Sequence, residues 1–340
     1  MPCVKTVVCL LLLLMPLSVL AQDEEEAATF PLEKFYAKRK PWTSRKLLSQ
    51  FKFSLSTGAG NTFFSHRLTG FGIYQPAKGS PLIFNSTAPL AAGLTNWVNH
   101  TESKPFNLPL SGFLVSGDTT RIGFKGNALN IPLKATIHFE WDRYRIGGGY
   151  SYEIMMLGSM HPITYKDKIG NFTPADGFGF MQKYFGSVGV SFYRVDKYLF
   201  TGDAQVGGFK PGNNFSMGQI QKGVYVNAGV TVERELSEYL RVFARPSFEI
   251  KNYTLSVPGG PPIYHYINAF YFNIGLTYSI PELPRCYNKD CRAQMNHVHG
   301  EREYRSGVHP LWKKQNPGYG ENDPTLLKYK GKNKRKLNPN

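Results

Sequence analysis

Long apolar runs are lacking in this sequence beyond its N-terminus. After the first 20 residues, no uninterrupted apolar stretch approaches the roughly 18 residues that cross a bilayer as a helix. A helical membrane protein is therefore excluded beyond that point. Charged residues are also few, at 19%, whereas a helical bundle would be rich in Ala, Glu and Lys. The composition therefore argues against a bundle as well.

Aromatic residues and glycine, in contrast, are abundant. Aromatic residues make up 14% of the chain, and there are 34 glycines. Because disordered chains are poor in aromatic residues, this sequence is expected to fold. The mixture is typical of a β-rich protein, and 340 residues suffice for two average domains or one large barrel or sandwich. The formal charge of +16 would by itself favour nucleic acid or an anionic surface as partner.

The N-terminus predicts export. Lys5 precedes an apolar run over 7–20, and the small residue Ala21 follows, as at the cleavage site of a secretory signal peptide. A transmembrane anchor is the alternative, but the run contains Pro16 and is followed by the acidic stretch 23–26 instead of a basic one. Export argues against nucleic acid as a partner, whatever the charge of the chain.

Strict alternation of apolar and polar residues predicts eight β-strands. In 133–141 every second residue is apolar, so one face of the strand is apolar and the other polar. A second alternating segment, 144–154, begins two residues later, with Asp142 and Arg143 as the tight turn between them. The other six segments lie near 51–55, 188–192, 198–206, 224–232, 240–250 and 270–280.

The connections between these strands alternate between short and long. Short turns are predicted near 142–143, 195–197 and 235–237, and long loops near 58–131, 156–183, 208–222 and 252–267. This pattern is typical of an up-and-down barrel with turns on one side of a membrane and loops on the other. The predicted fold class is therefore all-β, a transmembrane antiparallel β-barrel of eight strands over 47–280. Thr62–Tyr74 and Arg121–Lys125 would make ten strands if they joined the barrel, or else would form part of a folded outer cap.

A soluble barrel, such as a lipocalin-like domain with its apolar face inside, is the main alternative. Against it, the apolar positions include many large aromatic residues, and the opposite positions mix charges of both signs with Gly and Ser. Aromatic residues also lie near the short turns, where an interfacial girdle belongs: Trp141, Tyr144, Tyr198, Tyr239 and Tyr278. With an even number of strands, we predict a bacterial outer-membrane protein with both termini periplasmic.

The polar face of the predicted barrel places many charges inside a narrow lumen. The expected inward set includes Lys52, Lys134, His138, Glu140, Arg145, Glu153, Asp203, Glu233, Arg241, Arg245 and Glu249. Because eight strands leave room only for their own side chains, these charges are expected to pair and plug the interior. A small-solute pore and an outer-membrane hydrolase that uses His138 or a loop residue are the alternatives. Since no spacing ties His138 to a nucleophile, we predict that the protein is not an enzyme. We also expect no cofactor and no metal site.

The segment after the last predicted strand, 281–340, is unusual for a simple barrel. It carries 13 Lys or Arg and 6 Asp or Glu, a net +7 out of the total +16. Cys286 and Cys291 are the cysteines that remain after signal removal, and export favours a local disulfide between them. A Cys2His2 zinc site with His297 and His299 is the sharper alternative. Its spacing matches no known zinc finger, and thiolates survive poorly in an oxidising compartment.

Aromatic residues are scattered through this basic tail, which has too few apolar residues to fold alone. Such a composition fits a segment that becomes ordered on a protein partner. The predicted contact residues are Tyr304, Trp312, Lys313, Lys314 and Tyr319. The alternative is a solvated tail attracted loosely to anionic cell wall or lipid headgroups. The predicted domains are a signal peptide at 1–21, an N-terminal arm at 22–46, the barrel, and the tail.

The central region resembles the eight-stranded barrels of the OmpA-like outer-membrane class. The resemblance rests on the alternating strands, tight turns such as 235–239, and an aromatic final strand ending at 278–280. It implies a barrel surrounded by outer-membrane lipid, although the tail does not look like the peptidoglycan-binding domain of OmpA itself. The Tyr-rich, basic style resembles proteins of Bacteroidota, where small barrels serve type IX secretion and gliding machines. By this analogy we expect a non-enzymatic anchor or accessory subunit of an envelope complex.

Overall fold

The computed structural model describes most of the predicted barrel and the beginning of the tail. The described residues are 43–86, 93–105, 112–115, 122–174, 176–195, 198–212, 215–216, 218–237, 239–288, 291, 296–299 and 302–305. The predicted signal peptide, nearly all of the N-terminal arm, and the contact residues Trp312, Lys313, Lys314 and Tyr319 lie outside them. Apart from Arg302, all described residues belong to one compact unit, Trp42–His299 with Glu303–Asn340. Within these ranges, no helix has the length and apolar character needed to cross a membrane.

The described chain opens with a short helix and continues in strands. Helix α1 (Thr43–Gln50) spans the predicted boundary between the N-terminal arm and the barrel. The strands, in chain order, are β1 (Phe51–Arg67), β2 (Phe71–Gln75), β3 (Leu82–Asn85), β4 (Gly93–Asn96), β5 (Glu102–Lys104), β6 (Phe113–Val115), β7 (Gly123–Trp141), β8 (Tyr144–Pro162), β9 (Phe178–Val195), β10 (Tyr198–Pro211), β11 (Ile220–Glu235), β12 (Leu240–Leu255), β13 (Ile263–Ser279), β14 (His297–His299) and β15 (Arg302–Tyr304).

The eight long strands, β1 and β7 to β13, close into one antiparallel barrel. Each pairs with the next long strand along the chain, and β13 completes the ring by pairing with β1, with Lys52 opposite Ser279. Phe51 at the start of β1 also pairs with Phe139, close to the turn at 142–143. Both ends of the barrel chain therefore lie at the short-turn end, called the rim below. The predicted eight-stranded barrel is confirmed, and the ten-stranded alternative is wrong.

The strands are longer at the loop end than the sequence predicts. The first connection covers 68–122 instead of 58–131, because β1 and β7 both continue beyond the predicted limits. In this outer part of the barrel the inward face carries apolar residues, such as Phe124 and Met181, which are buried. Where both faces are apolar, the alternation that marks a strand in the sequence is lost.

The outer surface of the barrel is apolar. Several large aliphatic side chains are at least half exposed, among them Leu55, Leu133, Ile137, Ile146 and Val188. Aromatic side chains are exposed near the rim, including Trp141 at 68%. A continuous apolar surface of this kind is unfavourable in water and suited to lipid. The lipocalin-like alternative, with its apolar face inside, is therefore wrong.

The first long connection folds into a separate sheet of five short strands, in the order β5-β4-β3-β2-β6. This sheet, called the cap below, shares one apolar cluster with the loop end of the barrel. Trp97, which follows β4, is fully buried and stacks on Phe172 with ring centroids 3.7 Å apart. Its indole Nε1 donates a hydrogen bond to Nε2 of His66 on β1, at 3.1 Å. Apolar side chains of the cap and the barrel thus fill the loop end.

Candidate functional site

A cluster of buried charges occupies the inside of the barrel. Lys183 Nζ lies 2.5 Å from Glu153 Oε2 and 2.6 Å from Glu249 Oε1, so one ammonium group joins two carboxylates. Lys251 Nζ lies 2.6 Å from Glu249 Oε1, and the Tyr271 hydroxyl donates a hydrogen bond to Glu153 Oε1 at 2.8 Å. Two lysines thus balance two glutamates. Because an unpaired buried charge is strongly destabilising, this pairing is what allows the charges to be buried.

A second charged cluster lies nearer the rim. Arg145 binds Glu233 in a bidentate pair, with N–O distances of 2.6 and 2.8 Å. Arg241 Nη1 donates to both carboxylate oxygens of Glu140 at 3.1 Å. His138 Nε2 also lies 3.3 Å from Glu140 Oε1. His138 and Glu140 therefore belong to one network of hydrogen bonds and ion pairs.

A small cavity lies between these clusters and is lined by Lys134 and Arg245. Arg245 Nε donates to Asp203 Oδ1 at 2.8 Å. Lys134 Nζ donates to Gln205 Oε1 at 3.2 Å and lies 5.2 Å from the centre of the Phe185 ring. The cavity has a volume of about 80 Å³. It has room for a few water molecules and is far below the roughly 300 Å³ of a typical small-molecule pocket.

The structure places all eleven predicted inward residues inside the barrel. Ten of them belong to these clusters or line the cavity, whereas Lys52 donates to the backbone carbonyl of Ser49 at 2.6 Å. Lys183, Lys251 and Tyr271 complete the network but are absent from the predicted set. Lys183 lies in the part of β9 that the sequence predicts as loop. Lys251 continues the polar positions of the strand predicted near 240–250, and Tyr271 lies two residues before the inward Asn273, so the alternation places both on the inward face.

The beginning of the tail is attached to the rim by Arg305. Its side chain is only 3% exposed, and its guanidinium lies 4.5 Å above the ring of Tyr239, whose hydroxyl accepts a hydrogen bond from Nη2. The Arg305 amide donates to the carbonyl of Pro284, and the Cys286 amide donates to the carbonyl of Arg305, both at 3.0 Å. The described part of the tail therefore turns back onto its own start beside the turn between β11 and β12.

Four potential metal ligands converge in this part of the tail. The predicted disulfide is not present in the structure, because Cys286 and Cys291 are both free. Instead, Cys291 Sγ lies 3.2 Å from His297 Nε2 on β14. One ligand atom from each of Cys286, Cys291, His297 and His299 lies within 4.8 Å of the other three. Burial raises the pKa of the Cys286 thiol, and the Cys291 thiol acts in the same direction.

Tyr304, which the sequence predicts as a partner contact, belongs to the same folded region. Its ring lies 5.3 Å from that of Tyr287 and 6.0 Å from that of His299, measured between centroids. The side chain is half-buried, so part of its surface is accessible. Tyr304 therefore supports the fold of the tail, whatever partner it contacts.

The closed barrel of eight strands, its apolar exterior and its paired interior charges together define a transmembrane β-barrel of the outer-membrane type. No family model matches the sequence, and no curated protein gives a significant match. The assignment to this class is therefore based on the closed barrel, its apolar exterior and its paired interior charges.

Solved structures resemble the barrel at low similarity. The outer membrane protease OmpT from Escherichia coli is 12% identical with a TM-score of 0.33, and the match covers 68% of this chain and 97% of that chain. The β domain of the Bordetella autotransporter BrkA is 11% identical, with a TM-score of 0.22 and coverage of 66% and 99%. The translocator domain of the autotransporter NalP from Neisseria meningitidis is 12% identical with a TM-score of 0.22, and the match covers 69% of this chain and 94% of that chain. Similarity at this level says nothing about activity.

Proposed function

We propose that this protein is a non-enzymatic outer-membrane anchor that binds another envelope protein through its basic, aromatic tail. The attachment of Arg305 to Tyr239 at the rim carries this proposal, because the rest of the tail then starts from a fixed point beside the barrel. The interior supports it as well, since paired charges and the apolar contacts of the cap fill the barrel and leave little room for a substrate.

The strand count supports a proposed orientation of the protein in the membrane. With eight strands, the start of β1 and the end of β13 both lie at the rim, and in bacterial outer membranes the short turns face the periplasm. We therefore propose that the tail extends into the periplasm. A partner there would be a periplasmic protein or the periplasmic part of another outer-membrane protein.

The chemistry of the tail suggests how it would bind. Trp312 and Tyr319 would act as aromatic anchors, with Tyr304 at the edge of the folded region. Lys313 and Lys314 would steer the tail towards an acidic surface on the partner. The partner is thus expected to present apolar pockets within an acidic surface. An accessory role in a type IX secretion or gliding machine remains a proposal from the resemblance of the sequence.

A pull-down from native membranes in mild detergent tests the proposal. The full-length protein is compared with a chain that stops after Arg305, which retains the described beginning of the tail, and with a second chain that stops after Pro281. Mass spectrometry identifies the proteins recovered. We expect a stoichiometric partner with the full-length protein and its loss from both shortened chains.

Charge-matched variants separate specific binding from general attraction. Replacing Lys313 and Lys314 with Gln is expected to weaken recovery of the partner, whereas the same change at Lys328 and Lys330 removes equal charge and should have less effect. Equal losses would indicate loose electrostatic attraction of a solvated tail. Recovery of the same lone barrel from all chains would contradict the anchor function and favour the small-solute pore.

A further inference from the structure

Cys286, Cys291, His297 and His299 form a group of four potential ligands, called the tail cluster below. They come from two short segments that the fold brings together. Cys286 and Cys291 lie on the segment after β13, and the Cys291 amide donates to the carbonyl of Asn288 at 3.3 Å. His297 and His299 are two residues apart on β14, so their side chains leave the same face of the strand. The Cys286 amide donates to the carbonyl of Arg305, and the Arg305 amide donates to the carbonyl of Pro284, so the end of the hairpin is held against the first cysteine.

The donor set is one that zinc prefers. Two thiolates and two imidazoles make a tetrahedral Cys2His2 site, in which zinc lies about 2.3 Å from sulfur and about 2.0–2.1 Å from nitrogen. The donors must then approach to roughly 3.3–3.8 Å of one another. They already lie within 4.8 Å, and one pair is 3.2 Å apart, so contraction of about 1 Å by side-chain rotation completes the tetrahedron.

His299 gives an independent indication that this cluster binds a ligand. Its Nε2 atom is buried, and within the described residues it has no hydrogen-bond partner. Buried ring nitrogens are normally paired, because an unpaired one loses its bonds to water without compensation. The rings of Tyr287 and Tyr304, with centroids 5.9 and 6.0 Å from that of His299, pack around it. A metal ion in the cluster would satisfy this atom.

We propose that the tail binds one zinc ion in a closed structural site formed by Cys286, Cys291, His297 and His299. Four protein ligands leave no open position for a substrate, so the ion stabilises structure and does not catalyse. On binding, the ion replaces the two thiol protons, which pass to solvent, and the site carries no net charge. The zinc ion fixes the hairpin of β14 and β15 to the segment that leaves the barrel. This zinc proposal does not depend on whether the tail binds a protein partner.

Metal analysis of the full-length protein tests this site. The protein is purified in mild detergent through an affinity tag that contains no histidine, and zinc is measured by mass spectrometry. We expect equimolar zinc in the unchanged protein and its loss in Cys286→Ser and in His299→Asn. His161→Asn is the matched control, since His161 is an exposed residue that contacts Asn171 and should not affect the zinc content.

Cobalt and thiol measurements decide between zinc and the disulfide. Cobalt(II) added to metal-free protein should give the visible absorption of a tetrahedral site with thiolate charge transfer, and Cys286→Ser should abolish it. After denaturation with a chelator, both cysteines should react with a thiol reagent without prior reduction. A Cys286–Cys291 disulfide in protein that contains no zinc would overturn the proposal. Reduced protein that binds neither metal, or zinc retained in His299→Asn, would overturn it equally.

Discussion

At the scale of single residues, Lys183 is central to the interior of the barrel. Its ammonium group lies between Glu153 and Glu249, accompanied by Lys251 and the Tyr271 hydroxyl. Ion pairs buried to this degree differ from surface pairs, because neither partner can turn to water when the other is removed. The network therefore depends on each member being present, although its total charge is zero.

Replacing Lys183 with Met tests this dependence. The substitution keeps a long side chain but leaves two glutamates facing one lysine, so we expect the free energy of unfolding to fall by about 3–5 kcal/mol. Urea unfolding in detergent micelles, followed by the heat-dependent shift of the folded barrel on a gel, measures the change. Arg194→Ala is the control. Arg194 forms an ion pair with Glu235, but its side chain is 61% exposed, so this pair should contribute less than about 1 kcal/mol to the free energy of unfolding. Similar losses in both variants would contradict a special role for the buried network.

At the scale of structural elements, the segment around Trp97 joins the cap to the barrel. Trp97 stacks on Phe172 and donates to His66, and the adjacent Val98 carbonyl accepts a hydrogen bond from the Tyr253 hydroxyl at 2.8 Å. Burying a tryptophan between two elements contributes strongly to their association. The segment around Trp97 is therefore expected to hold the five-stranded sheet over the loop end.

Trp97→Ala should release the cap while the barrel persists. Removal of a fully buried tryptophan side chain costs about 3–5 kcal/mol of stability. Because Trp97 lies between the cap and the barrel, this substitution should weaken the association of the two. We expect protease to cut within 68–122 faster than in the unchanged protein, with the barrel strands still protected. Leu114→Ala removes an exposed side chain of the same sheet and should not increase cleavage. Equal cleavage of Trp97→Ala and the unchanged protein would show that Trp97 does not hold the cap.

At the scale of the whole molecule, the barrel is occupied along its length. Apolar side chains fill the loop end, paired charges fill the interior, and the cavity near Lys134 and Arg245 holds about 80 Å³. A barrel of eight strands is just wide enough for its own side chains. We infer that the scaffold serves to fix the rim and tail in the membrane.

The protein should therefore form no stable channels in planar lipid bilayers. The same result is expected for Trp97→Ala, because the ion pairs around Lys183 and Arg145 still fill the interior when the cap is released. Single-channel recording with both proteins, in parallel with a known porin, measures this. Discrete openings of the unchanged protein would favour the pore over the anchor.

The sequence by itself determined the barrel and much of its interior. Apolar and polar residues alternate where one face meets lipid and the other meets charged side chains, so strand number, rim and inward residues such as Glu153 and Arg245 follow from periodicity. Alternation is a local property, and one chain segment is enough to show it. It fails in the outer part of β9, where the inward Met181 and Phe185 flank Lys183 and the outward face includes Gln182, so no regular alternation marks this part as a strand.

Only the tertiary structure decided which residues meet across the barrel and in the tail. Lys183 and Glu249 are 66 positions apart, and Trp97 and Phe172 come from different connections, so no local pattern relates them. The sequence favours a local disulfide because export places Cys286 and Cys291 in an oxidising compartment. The structure brings His297 and His299 to those sulfurs through a hairpin whose strands have three residues each, too short for periodicity to reveal.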